Sequence, residues 1–510
     1  MRFLFSIHRW TGIAVGLMAF TWFASGIVVH WYAFVDATDA QLLGGYSFPL
    51  DSKELRGVRL PVESAVGAPM RRSVLHRLER QLVWETETGR ATATLTDARS
   101  GTRRAGVTLA EATAIAGRLV SRPATDAQAS VITQPDAYYY EQSFRYEFSD
   151  QQSFPLPAYR VVFGGPRPIG VYVDPTTGRV AAVVGRRQRF TRLFGTLPHF
   201  LNPSFLRGHA TLRWGILVVL LLGAFVSGVS GLVYGIWTLW RQRRARVPDG
   251  TDRRRPLRRL IADWHNWIGA VLGALVVTWA VSGYLMLWYP EVTPNPNEIA
   301  RLEGGTIRPS DYRLSPESAL TVVSSAGRLP VVALQARRLL QRPVYDARHL
   351  NGRSTVVDGR TGVILSPLPD SIVRSIVRAY LGRDDIIRRI SYLDHYDAYY
   401  YDLHGRLRPL PVYRIDLASG TRAPSPLYVD ADRGELVGRV DGDYRTFRWY
   451  GSALHTMDFP VLFFHPTLWH VVLVGLALLG AILSGTGVWL GFTYLLRLSR
   501  SSTSPKKAAS

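Results

Sequence analysis

The sequence of 510 residues contains no cysteine. Disulfide frameworks, thiolate-ligated iron–sulfur clusters and covalent haem attachment through a C-x-x-C-H motif are therefore excluded. A redox metal in this chain must be held by histidine or oxygen ligands. We also find no G-x-G-x-x-G fingerprint after a predicted strand, which would indicate a flavin or nicotinamide domain. Any redox chemistry would therefore need an external electron donor.

Acidic residues are scarce relative to basic ones, since 39 Asp and Glu against 61 Lys and Arg give a formal net charge of +22. A surplus of this size can serve nucleic-acid binding. Much of it, however, lies in "RQRRARVPDGTDRRRPLRR" at 241–259, which has nine arginines and two aspartates. Anionic lipid beside a membrane explains such a segment more simply. We therefore expect no nucleic-acid partner.

Four long windows are nearly free of charge, at residues 12–35, 214–240, 268–291 and 471–496. About 20 apolar residues let a helix cross a hydrocarbon core of ~30 Å, so each window is long enough. The first window is too long for a cleaved signal peptide and no small-residue cleavage pattern follows it, which favours a permanent anchor. The sequence therefore predicts four transmembrane helices in a lipid bilayer.

The arginine-rich segment also sets the predicted orientation, because short loops rich in Lys or Arg stay in the cytoplasm. Both termini then lie inside, and the two long loops face outward. We predict transmembrane helices within residues 1–36, 209–240, 261–291 and 466–497, outer domains at 37–208 and 292–465, a basic cytoplasmic loop at 241–260 and a disordered cytoplasmic tail at 498–510.

The two halves of the chain resemble each other. "HRWTGIAVGLMAFTWFASGIVVHWY" at 8–32 aligns without gaps with "HNWIGAVLGALVVTWAVSGYLMLWY" at 265–289. "FGTLPHF" at 194–200 likewise matches "YGSALHT" at 450–456. Similarity on this scale predicts a two-fold repeat of helix pairs. Because each copy contains two crossings, both copies have the same orientation in the membrane.

The long loops repeat as well. "DAYYY" occurs at 136–140 and at 397–401, and "VYVDPTTGRV" at 171–180 matches "LYVDADRGEL" at 427–436. Alternating apolar and polar residues on both sides of a turn predict a β-hairpin in each copy. We expect the tyrosines of the "DAYYY" motifs to serve core packing.

Helices are predicted beside these hairpins. Thr108 and Glu111 have the spacing of a capping box and precede an apolar run to about Val120. Asp370 begins a comparable run in the second long loop. Each outer domain is therefore expected to be a small α+β module.

These motifs resemble a known family. "HRWTG" at the start of a crossing, "LPH" or "ALH" before the return crossing, "SG" near the end of each crossing and "YVDPTTG" hairpins are similar to the PepSY-associated transmembrane family. That family includes bacterial inner-membrane ferric-siderophore reductases. The resemblance implies a membrane α-helical protein with two periplasmic α+β PepSY-like domains. It also implies haem b between the helices and electron delivery to ferric iron in the periplasm.

Eight of the twelve histidines lie at or near the predicted membrane edges, and these are His8, His30, His199, His209, His265, His455, His465 and His470. An ionisable side chain there needs a reason, although each one alone can be an interfacial residue that keeps its polar tip in water. As a set they indicate haem ligation, since neutral imidazoles must approach the iron from both sides.

Two pairs on different helices satisfy this requirement. His8 and His265 correspond in the two halves and lie at the cytoplasmic level. His30 follows His8 by 22 residues, which is ~33 Å of helix, so it lies at the periplasmic level with His470. We therefore expect two haems b, with His30 and His470 assigned to the outer one by depth.

Other histidines compete for the outer haem. His199 and His455 correspond in the two halves and are expected just outside the membrane. They are the main alternative pair, and His209 and His465 are further candidates.

Two functions agree with this pattern. The first is an inner-membrane oxidoreductase that takes electrons from an external quinol or cytoplasmic reductase and reduces a ferric siderophore. The second is a non-redox scaffold whose PepSY-like domains bind a peptide, a protease or a transporter component. A b-haem spectrum of the purified protein would separate them, because the scaffold needs no haem.

Overall fold

The computed structural model describes residues 1–32, 48–79, 81–88, 93–139, 156–207, 209–244, 257–288, 296–327, 329–381, 387–401, 408–418 and 425–502. The chain divides into two compact units. The helical unit comprises Met1–Ala33, Phe190–Pro290 and Asp443–Ser510, and the sheet unit comprises Phe34–Arg189 and Glu291–Gly442.

The described helices of eight or more residues are α1 (Arg2–Tyr32), α2 (Leu109–Leu119), α3 (Ala210–Arg244), α4 (Leu257–Met286), α5 (Pro296–Glu303), α6 (Pro316–Ser325), α7 (Asp370–Leu381) and α8 (Pro466–Ser502). Shorter α-helical or 3-10 segments are Glu63–Val66, Ala124–Asp126, Arg186–Phe190, Leu197–His199, Ser204–Arg207, Pro309–Asp311, Gly442–Thr446, Leu454–Thr456 and Pro460–Phe463. Two π-helices are Thr191–Thr196 and Phe447–Ala453.

Four helices, α1, α3, α4 and α8, are each long and apolar enough to cross a membrane. They coincide with the four predicted crossings, so this prediction is confirmed. α1 and α4 each pack against both α3 and α8, whereas backbone packing between α1 and α4 is sparse in the described part of the chain. α1 and α4 are therefore diagonal partners whose side chains meet across the middle of the helical unit.

The two π-helices lie against this group of four helices. Thr191–Thr196 packs against α1, and Phe447–Ala453 packs against α4. Gly195 permits the first contact, because a Cβ at this position would lie 3.1 Å from the side chain of Val28. The glycine therefore lets the π-helix approach α1 closely.

We call residues 190–200 and 446–456 the first and second return segments. Both belong to the helical unit, which resumes at Phe190 and Asp443. The predicted outer domains extend further, to residues 208 and 465, because the sequence analysis placed every segment between the apolar windows with the loops.

The sheet unit contains β1 (Arg72–Leu78), β2 (Gln81–Glu87), β3 (Ala93–Asp97), β4 (Arg103–Arg104), β5 (Ala127–Ile132), β6 (Ala158–Phe163), β7 (Ile169–Val173), β8 (Val180–Val184), β9 (Val331–Leu339), β10 (Arg342–His349), β11 (Ser354–Asp358), β12 (Ile387–Leu393), β13 (Val412–Leu417), β14 (Leu427–Asp430) and β15 (Leu436–Arg439). They form a seven-stranded sheet in the order β11-β10-β9-β1-β2-β3-β4 and two four-stranded sheets in the orders β5-β6-β7-β8 and β12-β13-β14-β15. All named strand pairs are antiparallel.

The seven-stranded sheet joins strands from both halves of the chain. β1 pairs with β9, with Leu75 opposite Leu334, and both side chains are fully buried in one apolar core. The α+β character predicted for each half is present. α2 packs against β5, β6 and β7, while apolar residues of α7 pack with those of β13 and β14 in a second core.

The predicted local motifs are confirmed. Thr108 and Glu111 form a capping box at the start of α2, and α7 begins at Asp370. Each predicted hairpin is present as β7–β8 and β14–β15. Gly178 and Gly434 occupy the turns with positive φ angles of 74° and 73°, a conformation that favours glycine.

The described residues of the two "DAYYY" motifs, 136–139 and 397–401, form bends outside the named strands. In the first motif the Asp136 carboxylate accepts hydrogen bonds from the backbone N–H groups of Tyr138 and Tyr139 and from the Tyr172 hydroxyl. Tyr139 stacks on Tyr172 at 4.4 Å between ring centroids. In the second motif Asp397 makes the same kind of contacts. The described part of these motifs therefore serves folding, as expected.

A buried carboxylate also links the seven-stranded sheet to the β7–β8 hairpin. Glu85 accepts a 2.8 Å hydrogen bond from Arg179, and His76 Nε2 lies 3.6 Å from the same carboxylate. Burial alone would raise the pKa of Glu85, but attraction to Arg179 and His76 lowers it to about 2. Asp346 occupies the corresponding place in β10 and pairs with Arg433.

The last helix, α8, continues to Ser502. The predicted disordered tail at 498–510 therefore begins with helix. Residues 503–510 lie outside the described residues.

Candidate functional site

Six of the eight predicted membrane-edge histidines form three pairs in the helical unit. We call His8 and His265 the first pair, His199 and His455 the second pair, and His30 and His470 the contact pair. Ring centroids are 6.1 Å apart in the first pair, 6.2 Å in the second and 4.8 Å in the contact pair.

The first pair lies between the diagonal helices α1 and α4. Nδ1 of His8 is 2.9 Å from the carbonyl oxygen of Ser227 in α3. Nδ1 of His265 is 3.0 Å from Oγ1 of Thr486 and 3.2 Å from the carbonyl oxygen of Leu483, both in α8. A carbonyl oxygen only accepts hydrogen bonds, so each Nδ1 must carry the hydrogen. In the neutral imidazole this leaves the Nε2 lone pair available to a metal.

Glycines in α3 and α8 provide space for these two rings. A Cβ on Gly231 would lie 2.5 Å from Cε1 of His8, and a Cβ on Gly487 would lie 3.1 Å from Cε1 of His265. Both distances are shorter than an ordinary carbon contact, so a larger residue at Gly231 would displace the ring of His8.

In the second pair, α1 holds His199. Oγ of Ser25 lies 3.2 Å from Nδ1 of His199 and 3.3 Å from the carbonyl oxygen of Trp22. When the hydroxyl donates to that carbonyl, its oxygen accepts from Nδ1–H. In this arrangement Nε2 of His199 is available to a metal.

α4 holds His455 in the same way. Nδ1 of His455 is 3.3 Å from Oγ of Ser282, whose hydroxyl donates to the carbonyl oxygen of Trp279. The same hydrogen-bond direction follows, so all four histidines of the first and second pairs have the same nitrogen available for a metal.

The two pairs lie at well-separated depths. His8 belongs to the first pair, and Ser25 contacts the second, 17 residues further along α1. That separation corresponds to roughly 26 Å of helix, close to the ~30 Å thickness of a bilayer core. The pairs therefore lie near opposite faces of the apolar layer.

A buried ion pair fixes the second return segment. Arg448 and Asp458 are 1% and 0% exposed, with 2.9 Å between Nη1 and Oδ1. Arg448 also donates to the backbone carbonyl of Asp458, and the Ser452 hydroxyl donates to its carboxylate. The first return segment carries Arg192, with Asn202 at the position that corresponds to Asp458.

Haem suits the geometry of the first and second pairs. Iron–imidazole bonds of about 2 Å, with ring centres roughly 1 Å further back, put the centroids of two opposed imidazoles about 6 Å apart. The centroid distances of 6.1 and 6.2 Å agree with this value. Two imidazoles alone would not complete the coordination of an iron, so each pair would need a macrocycle such as haem to supply the remaining nitrogen ligands. Among the described residues, no group of three or more His, Cys, Asp or Glu could hold a metal ion instead.

The contact pair has a different geometry. Nε2 of His30 lies 2.7 Å from Nδ1 of His470, a direct hydrogen bond. Two nitrogens on opposite sides of one iron are about 4 Å apart, so an iron does not fit between these two in this arrangement. Trp31 stacks on the ring of His470. This spacing does not favour the predicted ligation of an outer haem by His30 and His470, which stays an untested prediction.

The two remaining candidates are exposed. His209 precedes α3, and His465 precedes α8. The backbone carbonyl of each accepts a hydrogen bond from the residue four positions later, Arg213 and Trp469 respectively. These contacts begin a helix, and both histidines fit a structural role at that position.

Residues 5–491 match a sequence family described as the PepSY-associated TM region. This chain belongs to that family. The match takes in residues of all four membrane-crossing helices and all three histidine pairs, so the chain is a multi-pass membrane protein of the PepSY-associated TM region family. No curated protein matches the chain.

No role was predicted for the residues that orient the second pair. Ser25 and Ser282, like Trp22 and Trp279, lie at matching positions of the aligned stretches 8–32 and 265–289. The useful signal was their identity at matching positions in the two halves. Gly231 had no such signal, since its role depends on the packing of α3 against His8.

Proposed function

We propose that this member of the PepSY-associated TM region family is a haem b-containing oxidoreductase of the bacterial inner membrane. It moves electrons across the bilayer and reduces ferric iron, delivered as a ferric siderophore, in the periplasm. One observation carries the proposal: two histidine pairs at opposite depths have the centroid spacing and the Nδ1 hydrogen bonds that suit haem ligation.

The arginine-rich segment at 241–259 supports the orientation. It joins the C-terminal end of α3 to the N-terminal end of α4, the end at which His265 lies. Short basic loops stay in the cytoplasm, so the first pair lies near the cytoplasmic face and the second near the periplasmic face. The sheet unit is then periplasmic.

The chain's own residues hold and orient the ligands. In the first pair, carbonyl groups of α3 and α8 and the Thr486 hydroxyl oxygen accept from Nδ1–H, which keeps each Nε2 unprotonated and available to a metal. In the second pair, Ser25 and Ser282 do the same from α1 and α4. Haem, when bound at these pairs, supplies a one-electron couple at each depth. The surrounding apolar helices exclude water.

Ferric siderophore is the substrate class that this proposal assigns. Its hard oxygen donors hold Fe(III) far better than the softer Fe(II), so one-electron reduction weakens binding and releases the iron. The electron donor is external, either a membrane quinol or a cytoplasmic reductase.

Haem quantification in the purified full chain tests the proposal. The expected result is two haems b per chain and a reduced-minus-oxidised b-type spectrum. His8→Ala and His199→Ala should each remove one haem, because each deletes one axial ligand from a different pair. His209→Ala is the matched control, since this exposed histidine lies outside both pairs and its replacement should leave two haems.

Colourless protein from haem-replete cells would overturn the proposal. The same holds if His199→Ala retains both haems while His30→Ala loses one. In the colourless case the non-redox alternative remains, in which the sheet unit binds a peptide, protease or transporter partner and the histidines serve helix packing.

A further inference from the structure

Two tryptophans donate hydrogen bonds to the backbone of the second pair. The indole Nε1–H of Trp22 donates to the carbonyl oxygen of His199 at 2.9 Å, and that of Trp279 donates to the carbonyl oxygen of His455 at 3.0 Å. The two contacts occupy matching positions in the two halves of the chain. The tryptophan side chain has a single polar group, the indole N–H donor. In both copies this group donates to the backbone of the histidine that is the proposed haem ligand.

Each tryptophan works together with a serine on the same face of its helix. Trp22 and Ser25 are three residues apart on α1, so their side chains are neighbours. Trp22 holds the backbone of His199, while Ser25 holds Nδ1 of its ring. A histidine fixed at both its main chain and its ring cannot slide along α1 or rotate about its side-chain bonds without losing a hydrogen bond.

We propose that Trp22 and Trp279 are positioning residues that set the angle and depth at which His199 and His455 meet a haem. This inference rests on the proposed function, because it concerns the orientation of the ligands rather than their identity. Neither tryptophan touches iron. Each acts through the histidine whose carbonyl oxygen it holds, as partners behind metal ligands do elsewhere.

The same two helices contain matched controls. Trp10 lies on α1 and Trp267 on α4, and they also correspond in the two halves. Their exposed fractions are 47% and 56%. Replacing Trp10 or Trp267 removes a tryptophan from the same helices and leaves the hydrogen bonds of the second pair in place. The first pair is a further control within the molecule, since its histidines are held by α3 and α8.

The experiment compares Trp22→Phe, Trp279→Phe and the double variant with wild type and with Trp10→Phe and Trp267→Phe. Phenylalanine keeps an aromatic ring and removes the N–H donor. Redox titration followed by absorbance gives a midpoint potential for each haem, and low-spin electron paramagnetic resonance reports the angle between the axial imidazoles. Haem retention after dilution reports affinity.

The expected result is confined to the second site. Its midpoint potential should rise, because looser imidazoles stabilise the ferric state less, and its resonance should shift. Haem should leave this site about 10- to 100-fold more readily. The double variant should show the larger change, and the first site should keep its potential in every variant.

Three outcomes would overturn the inference. If wild type carries two haems and the Trp→Phe variants keep the second potential and resonance, the tryptophans do not position the ligands, while the proposed function stands. If Trp22→Phe and Trp279→Phe each lose both haems, the tryptophans serve the whole helical unit rather than one site. If wild type is colourless, the proposed function and this inference fail together.

Discussion

Gly231 offers a sharp test of the first pair, because one added methyl group should displace a ligand without weakening the fold. A Cβ at this position would lie 2.5 Å from Cε1 and 2.7 Å from Nδ1 of His8, where an ordinary contact begins near 3.4 Å. The ring must therefore move by about 1 Å, a displacement large enough to spoil a preorganised site. Alanine is a better helix former than glycine, so α3 itself should tolerate Gly231→Ala.

The displacement has two possible directions, and both damage the site. Movement away from α3 lengthens the 2.9 Å hydrogen bond from His8 Nδ1 to Ser227. Rotation within the site changes the 6.1 Å spacing to His265. We expect affinity at the first site to fall about 10- to 100-fold, as when a supporting partner of a metal ligand is removed.

Haem content and thermal unfolding of Gly231→Ala provide the assay. The expected result is weaker retention of haem at the first site after dilution, with the second site's spectrum intact and the melting temperature of the haem-free protein unchanged or raised. Gly215→Ala is the matched control in the same helix, because a Cβ there meets no atom within 4 Å. Two haems and an unchanged first-site potential in Gly231→Ala would refute the reasoning.

Two further predictions concern buried charge. Asp458→Ala leaves the fully buried Arg448 without its carboxylate, which should cost about 3–5 kcal/mol; Asp458→Asn, the residue found at the corresponding position 202, should cost less. Chemical unfolding of the full chain measures both, and equal stability of Asp458→Ala and wild type would contradict the prediction. Glu85 has its pKa lowered from 4.5 to about 2 in the folded chain, so its contribution is present above pH 4.5 and is lost as the pH falls toward 2. The loss should reach up to about 3 kcal/mol, measured as amide exchange of β1 and β2 against pH. Glu85→Gln should flatten that profile, and an unchanged profile would show that another group controls it.

The long crossings were the easiest part of the fold to predict. A charge-free window of 20 or more residues has few alternatives to a transmembrane helix, and all four were found. Local motifs with a defined geometry were equally reliable, since a capping box or a Gly-containing hairpin turn fixes its own conformation. Thr108 and Gly434 illustrate this.

The return segments could not be predicted in the same way. Counting residues along α1 put His30 at the outer level, and nothing in the sequence indicated that His199 folds back to the level of Ser25. That position depends on the π-helix Thr191–Thr196 packing against α1, a tertiary contact. Depth along the helices predicted that His30 meets His470, and correspondence between the halves predicted that His199 meets His455. Neither rule predicted the different spacing of the two pairs.

The pairing itself gives a physical reason for keeping both halves in one chain. The first pair takes His8 from one half and His265 from the other, and the second pair takes His199 and His455 in the same way. Neither half alone supplies both histidines of either pair. Covalent linkage makes the meeting of the halves intramolecular and so raises their effective concentration. It also permits each half to differ where symmetry is not needed, as Asn202 and Asp458 do.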